Sequence, residues 1–179
     1  MEKKIKAFNL LENIYENNSK FRELIDKYMP TGQIRRFNDE EWDKIKSQNF
    51  DPNYVPEETR ISNNITSFYD MFVAGLNIGS CVNTSELLSY SYNNVSIVSG
   101  ILPLLRGTIN AENGGHRWLE TNDSIIDTSL MLIIDKRLKE EFGYIEEGRI
   151  TPFQLSTNSN YQSRKEFIND PNLNKGKKH

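Results

Sequence analysis

The chain has little with which to build a cross-linked, metal-bound or membrane-embedded protein. Its 179 residues include one cysteine, Cys81, and two histidines, His116 and the C-terminal His179. A single cysteine excludes an internal disulfide framework and suits a reducing compartment. One cysteine and one internal histidine also lack the ligand spacings of a zinc site, so neither metal nor cofactor is expected. Gly-rich phosphate loops, a Gly-X-Ser-X-Gly elbow and zinc-protease motifs are all missing. Apolar runs are short: the Met1-Glu2-Lys3-Lys4-Ile5-Lys6 start leads into no signal-peptide stretch, and no segment is long enough for a membrane span. A net charge of −3 and an isoelectric point near 5.5 supply no basic field for nucleic acid or an anionic membrane. The expectation is a cytoplasmic protein that engages neither.

What the chain does have is apolar residues at helical spacing, punctuated by asparagine. Ile5, Phe8, Leu11, Ile14 and Tyr15 form one stripe over residues 3–16. Asn17-Asn18-Ser19 breaks it, and Ser19 is placed to cap a second helix through Tyr28, closed by Pro30 and Gly32. Asn38 or Asp39 caps a short acidic helix carrying Trp42 and Ile45, and the prolines of Phe50–Pro56 make a loop. Ile61, Ile65, Phe68, Tyr69, Phe72 and Val73 predict one buried helix over residues 61–76. Another helix follows Asn77-Ile78-Gly79-Ser80 and runs to about Tyr92, starting at Ser80 or as late as Thr84. Val95–Leu102 reads as a strand, with Val98 suggesting burial on both faces, and Pro103 ends it. Leu104–Asn113 is a connection. Leu130–Ile134 prolongs strand or opens a helix, Lys136–Phe142 is helical, and Gly143 stops it. Ile150–Leu155 suits an edge strand with Pro152 near its start, and Ser163–Ile168 a last short helix. The order predicts an α+β fold with helices on one face of an antiparallel sheet. It fits a single domain over residues 1–170, helical over 1–77 and with a catalytic-type core over 78–145, followed by a mobile basic tail over 171–179.

The chemistry concentrates between Gly114 and Ser129. His116–Thr121 and Ser124–Thr128 have strand character, and Asn122-Asp123 between them suits a two-residue turn. That turn sets Trp118 opposite Asp127 and His116 opposite Ser129. His116 and Asp127 then share a face as diagonal neighbours, within reach of each other. Read singly, a lone cysteine is a small hydrophobe, a lone histidine is structural, and Asp127 caps a turn. Read together they have another use. Cys81 at a helix start sits where backbone N–H groups favour a thiolate, an imidazole can take its proton, and a carboxylate can orient the ring. The Cys81 amide, with Asn77 as a second donor, is placed to meet a developing oxyanion. Asp123, in the turn, is expected to hydrogen-bond locally to backbone.

These residues resemble a family. Gly79-Ser80-Cys81 opening a helix, Val95–Leu102 as a strand, His116-Arg117-Trp118-Leu119-Glu120 and then Ile126-Asp127-Thr128 look like the core of the transglutaminase-like superfamily. Their spacing suits a compact bacterial or phage member. Val82 stands where many members carry an aromatic residue, and Arg117 where a small one is usual. The resemblance covers residues 75–130. It implies a papain-like fold and a Cys81–His116–Asp127 triad, serving a protease, amidase, deamidase or transglutaminase-type enzyme acting on a protein, peptide or small amide. The alternative is a binding or inhibitory protein that keeps this fold without turnover.

Overall fold

The computed structural model describes residues 11–77, 81–107 and 112–174. The expected contributions of Ile5, Phe8, Gly79, Ser80 and the last five residues of the tail lie outside them, as does part of the Leu104–Asn113 connection. Helix α1 is seen over residues 11–17, with Leu11 and Ile14 buried. Helix α2 (Ser19–Tyr28) buries Phe21, Leu24 and Ile25. Its cap is Asn18 rather than Ser19, because the Asn18 side chain reaches the Phe21 N–H at 2.9 Å. Strand β1 (Ile34–Arg36) was not expected; three residues are too few to show alternation. Asn38 then closes a capping box with Glu41 at the head of α3 (Asp39–Lys46).

The single helix predicted over residues 61–76 is two. Helix α4 (Glu57–Ser62) ends before Asn64, which takes φ of 53°, and α5 (Phe68–Val73) starts afresh with Ser67 as its cap. An asparagine tolerates the left-handed region and breaks a stripe that apolar spacing alone carries through. Ile61, expected in the core, is 63% exposed as a result.

Helix α6 (Cys81–Ser89) leads to β2 (Ser96–Ile101), then β3 (Gly115–Glu120), β4 (Ser124–Asp127) and β5 (Leu132–Asp135). Helix α7 (Lys139–Phe142) stops at Gly143, whose φ of 105° is glycine territory. Strand β6 (Ile145–Ile150) follows, then α8 (Pro152–Ser156) and α9 (Ser159–Asn169). The edge strand is therefore upstream of the predicted Ile150–Leu155. Pro152 opens a helix instead, where its missing N–H costs nothing, and Thr151 with Gln154 caps it. The first residues of the expected tail, Pro171–Asn174, form a 3₁₀ turn.

Among the described residues the six strands are ordered β1-β5-β4-β3-β2-β6, and every neighbouring pair is antiparallel. This is an α+β architecture, but helices cover both faces of the sheet, not one. Ile97, Leu119, Ile126 and Ile133 pack with Phe68, Phe72, Leu87 and Leu88 from α5 and α6. The alternate residues Val98, Trp118, Ile125 and Leu132 pack with Phe21, Leu24 and Phe142 from α2 and α7. Burial on both sides shows in β4 and β5, where apolar residues run consecutively at Ile125-Ile126 and Leu132-Ile133-Ile134. β3 lies in the middle of this sandwich, so its side chains are held by packing from either direction.

Candidate active site

The site begins with the β3–β4 turn. The Thr121 N–H donates to the Ser124 carbonyl at 2.9 Å, and Leu119 pairs with Ile126 and Glu120 with Ile125. That is the two-residue turn the sequence predicts, and its register sets Asp127 opposite Trp118 and diagonal to His116. The side chain that secures the turn is not Asp123. Thr121 Oγ1 accepts the N–H groups of Asp123 and Ser124 at 3.2 and 3.0 Å, and the Asp123 carbonyl accepts from Lys136. A short hydroxyl beside the turn reaches both amides, while the exposed Asp123 carboxylate points into water.

His116 Nε2 lies 2.8 Å from Asp127 Oδ2, with both side chains buried. Asp127 ends β4, and its Oδ1 turns back to accept the Leu130 N–H at 2.9 Å, closing the tight connection in which Met131 adopts φ of 54°. Its Oδ2 also accepts from the Tyr144 hydroxyl at 2.6 Å. With Nε2 committed to Asp127, Nδ1 is the ring nitrogen left for Cys81, whose thiol and the imidazole each favour the other's charged form. Cys81 is partly exposed at the first position of α6. The three residues named from the sequence therefore converge.

Helix α6 is tied to the sheet beside its cysteine. Ser85 Oγ donates to the Arg117 carbonyl at 3.2 Å, and the Thr84 and Thr128 hydroxyls meet at 2.8 Å. Asn77 belongs to this scaffold. Its Nδ2 donates to the Thr128 and Ser129 carbonyls at 3.3 and 3.2 Å, so the amide expected at the oxyanion is already engaged. The Ser129 hydroxyl completes the link by donating to the Asn77 carbonyl. This corrects the assignment of Asn77 as an oxyanion donor.

Aromatic rings wall the imidazole. Trp118 and Tyr144 lie 5.9 and 6.4 Å from it, both within 30° of parallel, and 4.8 Å from each other. Trp118 Nε1 donates to Glu120 Oε2, a buried carboxylate that also meets Lys139, Arg149 and, at 3.4 Å, Lys136. Burial pushes the Glu120 carboxyl up, but these donors hold it below its ordinary value. The sequence offered no sign of Tyr144, Leu130 or the Thr84–Thr128 tie, because each contact joins elements distant along the chain.

The charges agree in sign. Burial opposes the imidazolium, yet the Asp127 carboxylate, reinforced by Cys81, raises His116 to about 10. Burial opposes the Asp127 carboxylate too, and His116, Tyr144 and the Leu130 amide hold its pKa low. Burial pushes the Cys81 thiol up, and the hydrogen bond and charge of His116 bring it below its ordinary value. Each shift favours the charged form of its group relative to the ordinary value, and the three groups titrate as one coupled set.

Compared with known proteins, the chain matches no family model, no curated protein and no solved structure. The site is therefore read from its own geometry. Among the described residues no cluster of three or more His, Cys, Asp or Glu side chains could hold a metal, and no helix is long and apolar enough to cross a membrane. A cavity of about 700 Å³ lies beside α1, α2 and β1, lined by Leu11, Tyr15, Phe21, Ile25, Met29 and Arg36 among others. Glu12, Glu16 and Asp26 also line it, and it touches none of Cys81, His116 and Asp127.

Proposed function

We propose that the protein is a cysteine-dependent acyl-transfer enzyme of transglutaminase-like type, working in the cytoplasm on an amide of a protein, peptide or small molecule. The observation that carries this reading is the buried His116–Asp127 pair, with the carboxylate fixed 2.8 Å from Nε2 and the ring coupled electrostatically to Cys81. Partial exposure of Cys81 also supports it, since a binding protein has no need of an accessible thiolate.

The reaction follows from these atoms. The Cys81 thiolate attacks the acyl carbon, forming the C–S bond as the carbonyl electrons move to oxygen. The Cys81 N–H at the head of α6 is a donor for that oxyanion. His116 delivers its proton to the leaving amine as the C–N bond breaks, leaving a thioester on Cys81. Water or a second amine then attacks, His116 takes its proton, and the thiolate departs. Asp127 stays ionised throughout and holds the ring in one tautomer and orientation.

Incubation with an activated-ester or amide-based acyl probe, followed by intact-mass measurement, tests this. The expected result is one acyl adduct, absent from Cys81→Ala and formed at least about 100-fold more slowly by His116→Ala. Acylation at wild-type rates in His116→Ala would sink the assignment.

A further inference from the structure

A further polar side chain, itself buried, touches the His116–Asp127 pair. Tyr144 precedes β6, is 4% exposed, and donates to the same Asp127 oxygen that faces His116 Nε2. We propose that Tyr144 is a positioning residue of the site, whose hydroxyl fixes the Asp127 carboxylate and, through it, the imidazole against Cys81. This assignment rests on the Cys–His–Asp reading above and deepens it.

The argument starts from what a fully buried carboxylate needs. Asp127 is shut off from bulk solvent, so protein donors must satisfy it. The Leu130 N–H holds Oδ1 from the turn that follows β4, and Tyr144 holds Oδ2 from the head of β6. Two donors from two elements fix the carboxylate without help from His116. The imidazole then has a stationary partner on one side and aromatic walls in Trp118 and Tyr144. Space filling alone would be met by phenylalanine; only the hydroxyl serves the carboxylate.

The groups facing this network are Cys81 from α6, His116 and Glu120 from β3, and the Lys136, Lys139 and Arg149 side chains that neutralise Glu120. Burial, Asp127 and Glu120 keep the Tyr144 hydroxyl protonated far above neutral pH, so it remains a donor wherever the site works. Without that donor, desolvation raises the Asp127 carboxyl, which competes for the proton on Nε2. A neutral imidazole no longer balances the thiolate, and Cys81 ionises at higher pH.

The test is the rate of Cys81 alkylation by iodoacetamide against pH, read by intact mass on the full chain, for wild type, His116→Ala, Tyr144→Phe and Tyr161→Phe. Tyr161 is a control in which another buried hydroxyl, paired with Ser89, is removed away from the relay. Tyr144→Phe should move the midpoint upward by about one pH unit, making alkylation roughly tenfold slower on the acidic side. Tyr161→Phe should leave the midpoint alone, whatever it does to melting temperature. An unmoved midpoint in Tyr144→Phe, with His116→Ala still displaced, overturns the Tyr144 role and spares the relay. A wild-type midpoint equal to that of free cysteine and unaffected by His116→Ala overturns both. If Tyr144→Phe does not fold, 3-fluorotyrosine introduced at position 144 keeps the ring and hydroxyl and adds one ortho fluorine, which makes the hydroxyl a more acidic, stronger donor. A displaced midpoint then supports the role, and an unchanged one overturns it.

Discussion

His116 and Asp127 form an ion pair sealed from solvent, with Nε2 and Oδ2 2.8 Å apart and neither side chain more than 1% exposed. Two charges in so dry a place persist because each remaining lone pair or proton is met: the Leu130 amide and Tyr144 serve the carboxylate, and Cys81 serves the ring. Such a pair is poor evidence of stability but good evidence of specified geometry, since a misplaced member would be an uncompensated buried charge.

Cys81 should react with iodoacetamide at rates that level off below the pH where an ordinary thiol ionises, because its pKa is lowered. Removing the imidazole in His116→Ala should return the midpoint to the ordinary thiol range or above, since burial then acts without the imidazole to offset it. Alkylation followed by mass spectrometry over a pH series reads both.

Two carboxylates near the hairpin should behave differently. Asp127→Asn keeps the shape of the side chain but withdraws the charge facing Nε2, and should cut acyl transfer by about three to four orders of magnitude. Asp123→Asn alters an exposed side chain at a turn secured by Thr121, and should change turnover and melting temperature little. Steady-state rates of the two purified variants separate them.

The register behind that contrast was legible because Asn122-Asp123, flanked by strand formers, admits few alternatives. The rarity of Cys81 and His116 drew attention to the relay, and the turn then singled out Asp127. Other parts left no local trace. β6 reads Ile-Glu-Glu-Gly-Arg-Ile, with apolar residues only at its ends, and its place in the sheet comes from pairing with β2. Tyr144 is one of eight tyrosines, and its role depends on a contact across 17 positions. The second helical layer was hidden because a two-sided sheet and a one-sided sheet with an apolar run look alike until the helices are placed.

Stability should report the ion pair through pH, most clearly in Cys81→Ala, where no thiol titrates. His116 is raised from 6.5, chiefly by Asp127, so its contribution is fully present below about 6.5 and is lost as pH rises through the raised folded value. That value is lower in Cys81→Ala because Cys81 no longer reinforces it. Asp127 is lowered, so its contribution is present above the ordinary carboxylate range and is lost as pH falls through its depressed folded value. Melting temperature should therefore fall on both sides of a plateau. Adding Asp127→Asn should remove much of the alkaline decline, because the carboxylate is what raises the ring.

Gly100 should govern Tyr144 at one remove. It lies on β2 opposite His116 on one side and Glu146 of β6 on the other, where the β2–β6 register shifts. A Cβ there would sit 1.9 Å from the Ile145 carbonyl oxygen and 3.1 Å from the Glu146 Cα, both backbone atoms that cannot rotate away. Gly100→Ala must therefore push the start of β6 outward, and Tyr144 is the residue immediately before it. The expected cost is on the order of 3 kcal/mol, seen as a lower denaturation midpoint. Because the Tyr144 hydroxyl moves with its backbone, the Cys81 alkylation midpoint should also rise, in the direction expected for Tyr144→Phe. Gly148 supplies the control, since a Cβ on it meets nothing within 4 Å. Gly148→Ala should leave both readings at wild-type values or gain slightly in stability through a less flexible unfolded chain. Equal tolerance of alanine at positions 100 and 148 would show that the close approach of β2 and β6 does not hold Tyr144 in place.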